Sequence, residues 1–167
     1  HEPMLLDEKN GYIPSRNIDN TEYDNENSDR FTLEDGRKLN ISNYTQMIHY
    51  QTNVVALIQV ANWLDYLRET GTYNNTRIIL ASDHGRDVKT ISELTYQDVG
   101  LELCCPLLMV KDFNETGFKT STEFMTNADV PTLATRNLGF TAKNPFTGKE
   151  INMNEKTAHP QIISRSF

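Results

Sequence analysis

The fold is decided by residues 76–85, which read Thr76-Arg77-Ile78-Ile79-Leu80-Ala81-Ser82-Asp83-His84-Gly85. The apolar part of this stretch, residues 78–81, shows no alternation of apolar and polar residues. This favours a strand buried on both faces, as in a parallel sheet. Asp83 and His84 follow shortly after it. Because ligands bind beyond the carboxyl ends of the strands in open α/β sheets, the pair is the first candidate for a functional site.

A long amphipathic helix is predicted before this strand, over residues 43–70. Asn43 is a favourable N-cap residue, and Gln46 stands three positions later, at the spacing of a capping box. Gly71 stands where a left-handed residue ends a helix. A helix that leads into a buried strand is half of a βαβ unit, so the pattern predicts an α/β fold. The apolar residues at helical spacing are Met47, Tyr50, Val54, Leu57, Ile58, Ala61, Leu64 and Leu67.

Two further elements are predicted downstream. Residues 106–110 are typical of a second buried strand that begins with a proline. Residues 130–138 are typical of a second helix, with Asp129 as its N-cap, a proline in its first turn and Gly139 at its end.

The length of 167 residues fits one domain. Within it we expect residues 1–40 to be extended and irregular, residues 41–140 to form an α/β core, and residues 141–167 to be a polar tail. The chain opens with His1-Glu2-Pro3 and has no initiator methionine, so we expect a piece of a longer protein.

Charge and composition exclude several classes of function. The formal net charge of −7 argues against a nucleic-acid surface, where clustered Lys and Arg neutralise phosphates. No apolar run approaches the roughly 20 residues that a membrane span needs. No glycine-rich phosphate loop supports a nucleotide-binding domain. The adjacent Cys104 and Cys105 lack the spacing of a zinc site, and we expect two small buried side chains.

Asp83 and His84 carry the chemistry that the sequence offers. The pair presents a carboxylate oxygen and an imidazole nitrogen at nearly one point, which favours zinc or manganese over calcium. Gly85 lets the backbone turn away directly afterwards. The alternative is a capping aspartate beside an ordinary loop histidine.

A larger ordered set of residues resembles a known family. It consists of residues 75–85, then Cys105-Pro106-Leu107-Leu108-Met109-Val110, then Asp129-Val130-Pro131-Thr132-Leu133 with Leu138-Gly139, and His1-Glu2-Pro3 at the start. In this order and separation they resemble the metal-bearing strand, the next core strand, a helix start and a His-x-Pro element. The family is the sulfatase and lipoteichoic-acid-synthase branch of the alkaline-phosphatase superfamily, and the resemblance spans most of residues 1–139.

The resemblance implies a fold and a set of site residues. The implied fold is part of a three-layer α/β sandwich, with a mostly parallel central sheet and flanking helices. Asp83 and His84 would be two metal ligands, and His1 would lie near the substrate anion or the leaving group. For His1 the alternative is a frayed terminal residue. Arg86 and Lys89 would face an anionic substrate, or would be solvated loop charges; many relatives carry an acid at the position of Arg86.

The resemblance also implies what this chain does not contain. In the family, another metal-binding acid and a Thr, Ser or modified Cys nucleophile lie in the N-terminal half of the same catalytic domain, which becomes an expected partner. The implied function is a hydrolase or phospho-group transferase for phosphate or sulfate esters of envelope lipids or glycans. It would be extracytoplasmic, with a parent anchored in the cytoplasmic membrane through a segment absent here. The chain alone would be inactive. The alternative is a non-catalytic piece or pseudoenzyme that binds sugars or a partner.

Overall fold

The computed structural model describes residues 28–145 and 147–150. These residues fall into two compact units. The first unit contains the chain up to residue 71 together with residues 86–103, and the second contains residues 72–85 together with the chain from residue 104 on.

The long predicted helix is confirmed and forms most of the first unit. Helix α1 spans Tyr44–Glu69, and the side chain of Asn43 accepts a hydrogen bond of 3.0 Å from the backbone N–H of Gln46. Of the eight residues in the predicted apolar stripe only Met47 is buried, and Leu57 and Ala61 are exposed. The buried residues of the helix all lie in its N-terminal half and are Gln46, Met47, Gln51 and Val55.

The rest of the first unit consists of turns and one hairpin. A 3-10 turn at Ser28–Phe31 brings the ring of Phe31 edge-on to Tyr50 of α1, with the ring centroids 5.1 Å apart. Strands β2 (Thr95–Tyr96) and β3 (Val99–Gly100) pair antiparallel. The two residues between them both have positive φ angles, as tight hairpin turns require.

The second unit is built on a two-stranded sheet and a short helix. Strand β1 (Ile78–Ala81) pairs antiparallel with β4 (Leu108–Lys111), so that Ile78 lies opposite Lys111 and Ala81 lies opposite Leu108. Helix α2 spans Val130–Thr135 and is shorter than predicted.

Asp129 occupies the N-cap position of α2, as predicted, but its side chain makes no capping hydrogen bond to that helix. Its carboxylate accepts hydrogen bonds from the backbone N–H and the hydroxyl of Thr126, at 2.7 and 3.3 Å. This is a capping box for the 3-10 turn Asn127–Asp129 that precedes α2. The two cysteines, expected to be buried, are both exposed.

The predicted mostly parallel central sheet in a three-layer sandwich is wrong. The described residues form two separate antiparallel sheets of two strands each. The predicted burial of this strand on both faces is wrong as well, since only Ile78 is buried and Ala81 is exposed. The apolar run in residues 78–81 contains no information on the direction of the neighbouring strand. A parallel pair needs a crossover connection, usually a helix. Residues 82–107, which join β1 to β4, contain 3-10 turns and a hairpin in place of a crossover helix.

An ion-pair network joins the sheet of the second unit to α2. Asp112 accepts hydrogen bonds from Arg77 Nε and Nη2 at 2.9 and 2.8 Å, and from Arg136 Nη2 at 2.9 Å. Arg77 also donates from Nη1 to the carbonyl of Ala134 at 2.9 Å, and its side chain is only 6% exposed. The bonds from Arg77, then the backbone N–H of Phe113 and then Arg136, lower the pKa of Asp112 to about 2.

We predict that Asp112→Asn lowers the free energy of unfolding by roughly 2 to 4 kcal/mol, because it leaves the buried guanidinium of Arg77 without its counter-charge. Because the pKa of Asp112 is lower in the folded chain, its contribution to stability is complete above the pKa that it has in the unfolded chain, near 4. The contribution is lost as the pH falls toward 2. Urea unfolding between these pH values checks both statements, since the variant should lose less stability on acidification than the unsubstituted chain.

Asp65→Asn is the matched control. Asp65 pairs with Arg68 at 2.6 Å on the solvent side of α1, where both side chains are at least 49% exposed. Its loss should change stability by less than about 0.5 kcal/mol. Equal effects of the two substitutions on the free energy of unfolding would contradict the larger contribution of the Arg77–Asp112 pair to stability.

Candidate functional site

Asp83 and His84 lie just beyond the end of strand β1. The last ladder contacts are made by Ser82, whose N–H donates to the carbonyl of Leu107 at 3.0 Å and whose hydroxyl accepts from the N–H of Leu107 at 2.7 Å. The chain leaves the sheet directly after this contact. The pair therefore occupies the strand-end position that the sequence predicts.

The side chains of Asp83 and His84 approach each other in solvent. Asp83 Oδ1 accepts from the backbone N–H of His84 at 2.9 Å, and Asp83 Oδ2 lies 3.6 Å from His84 Nε2. The other ring nitrogen, Nδ1, lies 2.5 Å from the carbonyl oxygen of Gly85. The two side chains are 87% and 66% exposed, respectively, so a solvent ion has access to both.

The contact with Gly85 shows which ring nitrogen of neutral His84 carries the hydrogen. A carbonyl oxygen only accepts, so Nδ1 carries the hydrogen and donates it there. His84 Nε2 then has a free lone pair, and it faces Asp83 Oδ2, which is also an acceptor. Both acceptors are exposed, so water can donate to each of them, and a metal ion or a second proton on His84 can also lie between them.

Asn127 fixes the backbone that carries the pair. Its amide donates to the carbonyls of Ser82 and Asp83, at 2.8 and 3.1 Å. The sequence-based reasoning missed this residue. The available signal was the capping-box spacing of Thr126 and Asp129, which places Asn127 at the start of a tight turn.

The described part of the chain offers two protein ligands, Asp83 and His84, to a metal at this position. Within residues 28–145 and 147–150, no group of three or more His, Cys, Asp or Glu side chains is arranged to hold a metal ion. Structural zinc sites have four protein ligands and catalytic ones three, so the pair is half of a structural site or two thirds of a catalytic one.

The two predicted substrate-binding cations belong to the first unit, whereas Asp83 and His84 belong to the second. Arg86 is exposed and Lys89 is half-buried, with a positive φ of 55°. Neither forms an ion pair with an acid in the described part of the chain. Their charges are therefore available to an anion.

His49 on α1 is a second ionisable group that sequence reasoning undervalued. Burial lowers the pKa of His49 below its ordinary value of 6.5, the positive charge of Arg86 lowers it further, and the charge of Glu102 opposes the shift. A histidine on a long helix is ordinarily a surface or packing residue. The spacing between residues 49 and 86 contains no signal of their electrostatic contact.

His1 lies outside the described residues, and its predicted role near a substrate anion stays a prediction. No helix in the described residues is long and apolar enough to cross a membrane. No family model, curated protein or solved structure matches the chain. The family resemblance therefore stays a prediction as well.

We predict that His49 titrates below pH 6.5 and that Arg86→Ala raises its pKa only part of the way back, because burial is the larger cause of the shift. A pH titration of the His49 ring signals by NMR measures both values. Lys38→Ala removes a cation that does not act on His49 and serves as the control. An unchanged His49 pKa in the Arg86 variant would contradict the proximity of the two groups.

Proposed function

We propose that this chain is part of a metal-dependent hydrolase or phospho-group transferase that acts on phosphate or sulfate esters. In this proposal Asp83 and His84 are two of the ligands of a zinc or manganese ion. The observation that carries it is the pair of facing acceptors, His84 Nε2 and Asp83 Oδ2, 3.6 Å apart at the end of a strand. The resemblance to the sulfatase-like branch of the alkaline-phosphatase superfamily supports it.

The local contacts suit a metal ligand. Metal-binding imidazoles usually donate their other N–H to a carbonyl or carboxylate, which fixes the tautomer and the direction of the ring. Gly85 provides that carbonyl for His84. Asn127 binds the carbonyl of Ser82, just before the pair, and that of Asp83 within it, which limits the movement of both ligands.

The chemistry follows from the charges. A divalent cation bound to the pair would neutralise the oxygens of a tetrahedral ester and lower the pKa of the attacking hydroxyl. The residues of this chain would hold that ion, and Arg86 and Lys89 would bind the same class of anion. His1 would donate a hydrogen bond to the ester or to its leaving group. The nucleophile and a further acid would come from the N-terminal half of the same catalytic domain.

The remaining parts of the proposal rest on the family resemblance alone. The substrates would be esters of envelope lipids or glycans, and the protein would act outside the cytoplasm with its parent anchored in the membrane. The chain by itself would lack activity.

A binding module is the second candidate, and one observation favours it. Asp83 and His84 are so exposed that an ion pair between the carboxylate and a protonated imidazole explains their geometry without a metal. A non-catalytic relative that binds sugars or a partner would retain such a pair.

We predict weak binding of zinc or manganese to the chain, since two ligands are fewer than a complete site provides. Isothermal titration calorimetry should show that Asp83→Ala and His84→Ala each weaken the binding by about tenfold or more, whereas His49→Gln leaves it unchanged. Sub-micromolar binding that survives both alanine substitutions would exclude the proposed site.

A further inference from the structure

Residues 86–91, which carry Arg86 and Lys89, are fixed on one side by a buried glutamine. Gln46 on α1 is 4% exposed, and its Nε2 donates to the carbonyls of Val88 and Lys89 at 3.0 and 3.5 Å. Its Oε1 accepts from the N–H and the hydroxyl of Ser42, at 2.8 and 3.0 Å. A backbone N–H only donates and a carbonyl only accepts, so these partners determine the orientation of the amide.

The same segment is fixed from the other side by a buried carboxylate. Glu102 is 8% exposed, and its Oε1 accepts from the hydroxyl of Thr90 at 2.8 Å and from the N–H of Ile91. Asp87 adds a third contact, since its Oδ1 accepts from the N–H of Gly100 at 3.0 Å. A Cβ atom on residue 100 would lie 2.5 Å from that oxygen, so any larger residue there would force the Asp87 side chain to shift.

Holding a short surface segment in this way has a cost in folding free energy. Buried polar side chains stabilise a fold only when their hydrogen bonds are made, and Glu102 Oε2 has no partner among the described residues. Lys89 adopts a positive φ of 55°, which is unfavourable for a lysine and persists only where the surroundings enforce it. Strain of this kind is concentrated at functional sites.

We propose that Gln46 and Glu102 are positioning residues for an anion site formed by Arg86 and Lys89, whose ligand is a tetrahedral oxyanion such as a sulfate or phosphate ester. They fix the backbone from which the two cations project. Both cations lack an acidic partner in the described chain, and His49, which Arg86 influences, is favoured in its neutral form. The inference rests on the proposed function, which assigns Arg86 and Lys89 to an anion of the phosphate- or sulfate-ester class.

The test is an NMR titration of the metal-free chain with inorganic sulfate, which keeps a constant charge of −2 over the pH range used. The key variant is Gln46→Glu. At about pH 7.5 its carboxylate cannot donate to the carbonyl of Val88, and loss of that bond should weaken sulfate binding about tenfold. At about pH 5 the buried carboxyl group of the variant is protonated and can donate to the carbonyl again. The sulfate affinity of the variant should then equal that of the unsubstituted chain at the same pH.

The controls separate positioning from charge and from unfolding. Gln59→Glu makes the same change at an exposed position of the same helix and should leave sulfate affinity within about twofold of the starting value. Glu102→Gln retains an oxygen acceptor for Ile91 and should bind sulfate like the unsubstituted chain, whereas Glu102→Ala should not. His49 also gains a proton on acidification, so every variant is compared with the unsubstituted chain at the same pH. Backbone NMR shifts outside residues 86–91 report whether each variant is folded.

The outcomes distinguish the two proposals. Sulfate binding that Arg86→Ala and Lys89→Ala abolish but Gln46→Glu leaves unchanged at both pH values would overturn the positioning role alone. Absence of sulfate binding by the unsubstituted chain would remove the anion site and its positioning residues, while the metal titration of Asp83 and His84 would still decide the metal site separately. An adventitious ion would bind equally to all variants, which also overturns the inference.

Discussion

The ion pair between Arg77 and Asp112 is the constraint on which the second unit depends. Arg77 directly precedes β1 and Asp112 directly follows β4, and the antiparallel register brings these two ends of the sheet together. A guanidinium as buried as that of Arg77 is tolerated only with its counter-charge and hydrogen bonds in place. Because β1 has only four residues, fixing its first end also fixes the other end, where Asp83 and His84 leave the sheet.

Buried polar side chains set the backbone at each candidate site. In the second unit, the carboxylate of Asp129 holds Thr126 and thereby places Asn127, whose amide binds the carbonyls of Ser82 and Asp83. In the first unit, Gln46 and Glu102 do the same for residues 86–91. Such contacts are directional, whereas apolar packing is not, so they place a backbone segment more narrowly. The buried apolar side chains in the described chain are Phe31, Met47, Val55, Ile78, Val88 and Leu133.

Local signals in the sequence predicted the elements better than their assembly. The cap at Asn43, the helical period after it and the apolar run at residues 78–81 identified α1 and β1, because each of these depends on neighbours along the chain. The parallel sheet was a wrong prediction, since strand direction depends on a partner far away in sequence. Only Met47 of the predicted apolar stripe of α1 is buried, because periodicity shows which face could be buried and not what covers it.

The sequence by itself determined the residue types that can act, namely a carboxylate and an imidazole after a strand, followed by two cations. It also determined that Asp83 and His84 would be close, because adjacent residues cannot be far apart. Only the tertiary structure decided that Nε2 of His84 faces the carboxylate, since the carbonyl of Gly85 takes the other ring nitrogen. It alone decided that Gln46 and Glu102 hold the segment of Arg86 and Lys89. Those contacts join residues more than ten positions apart, and hydrogen bonds across such separations depend on how the chain folds back rather than on any local pattern.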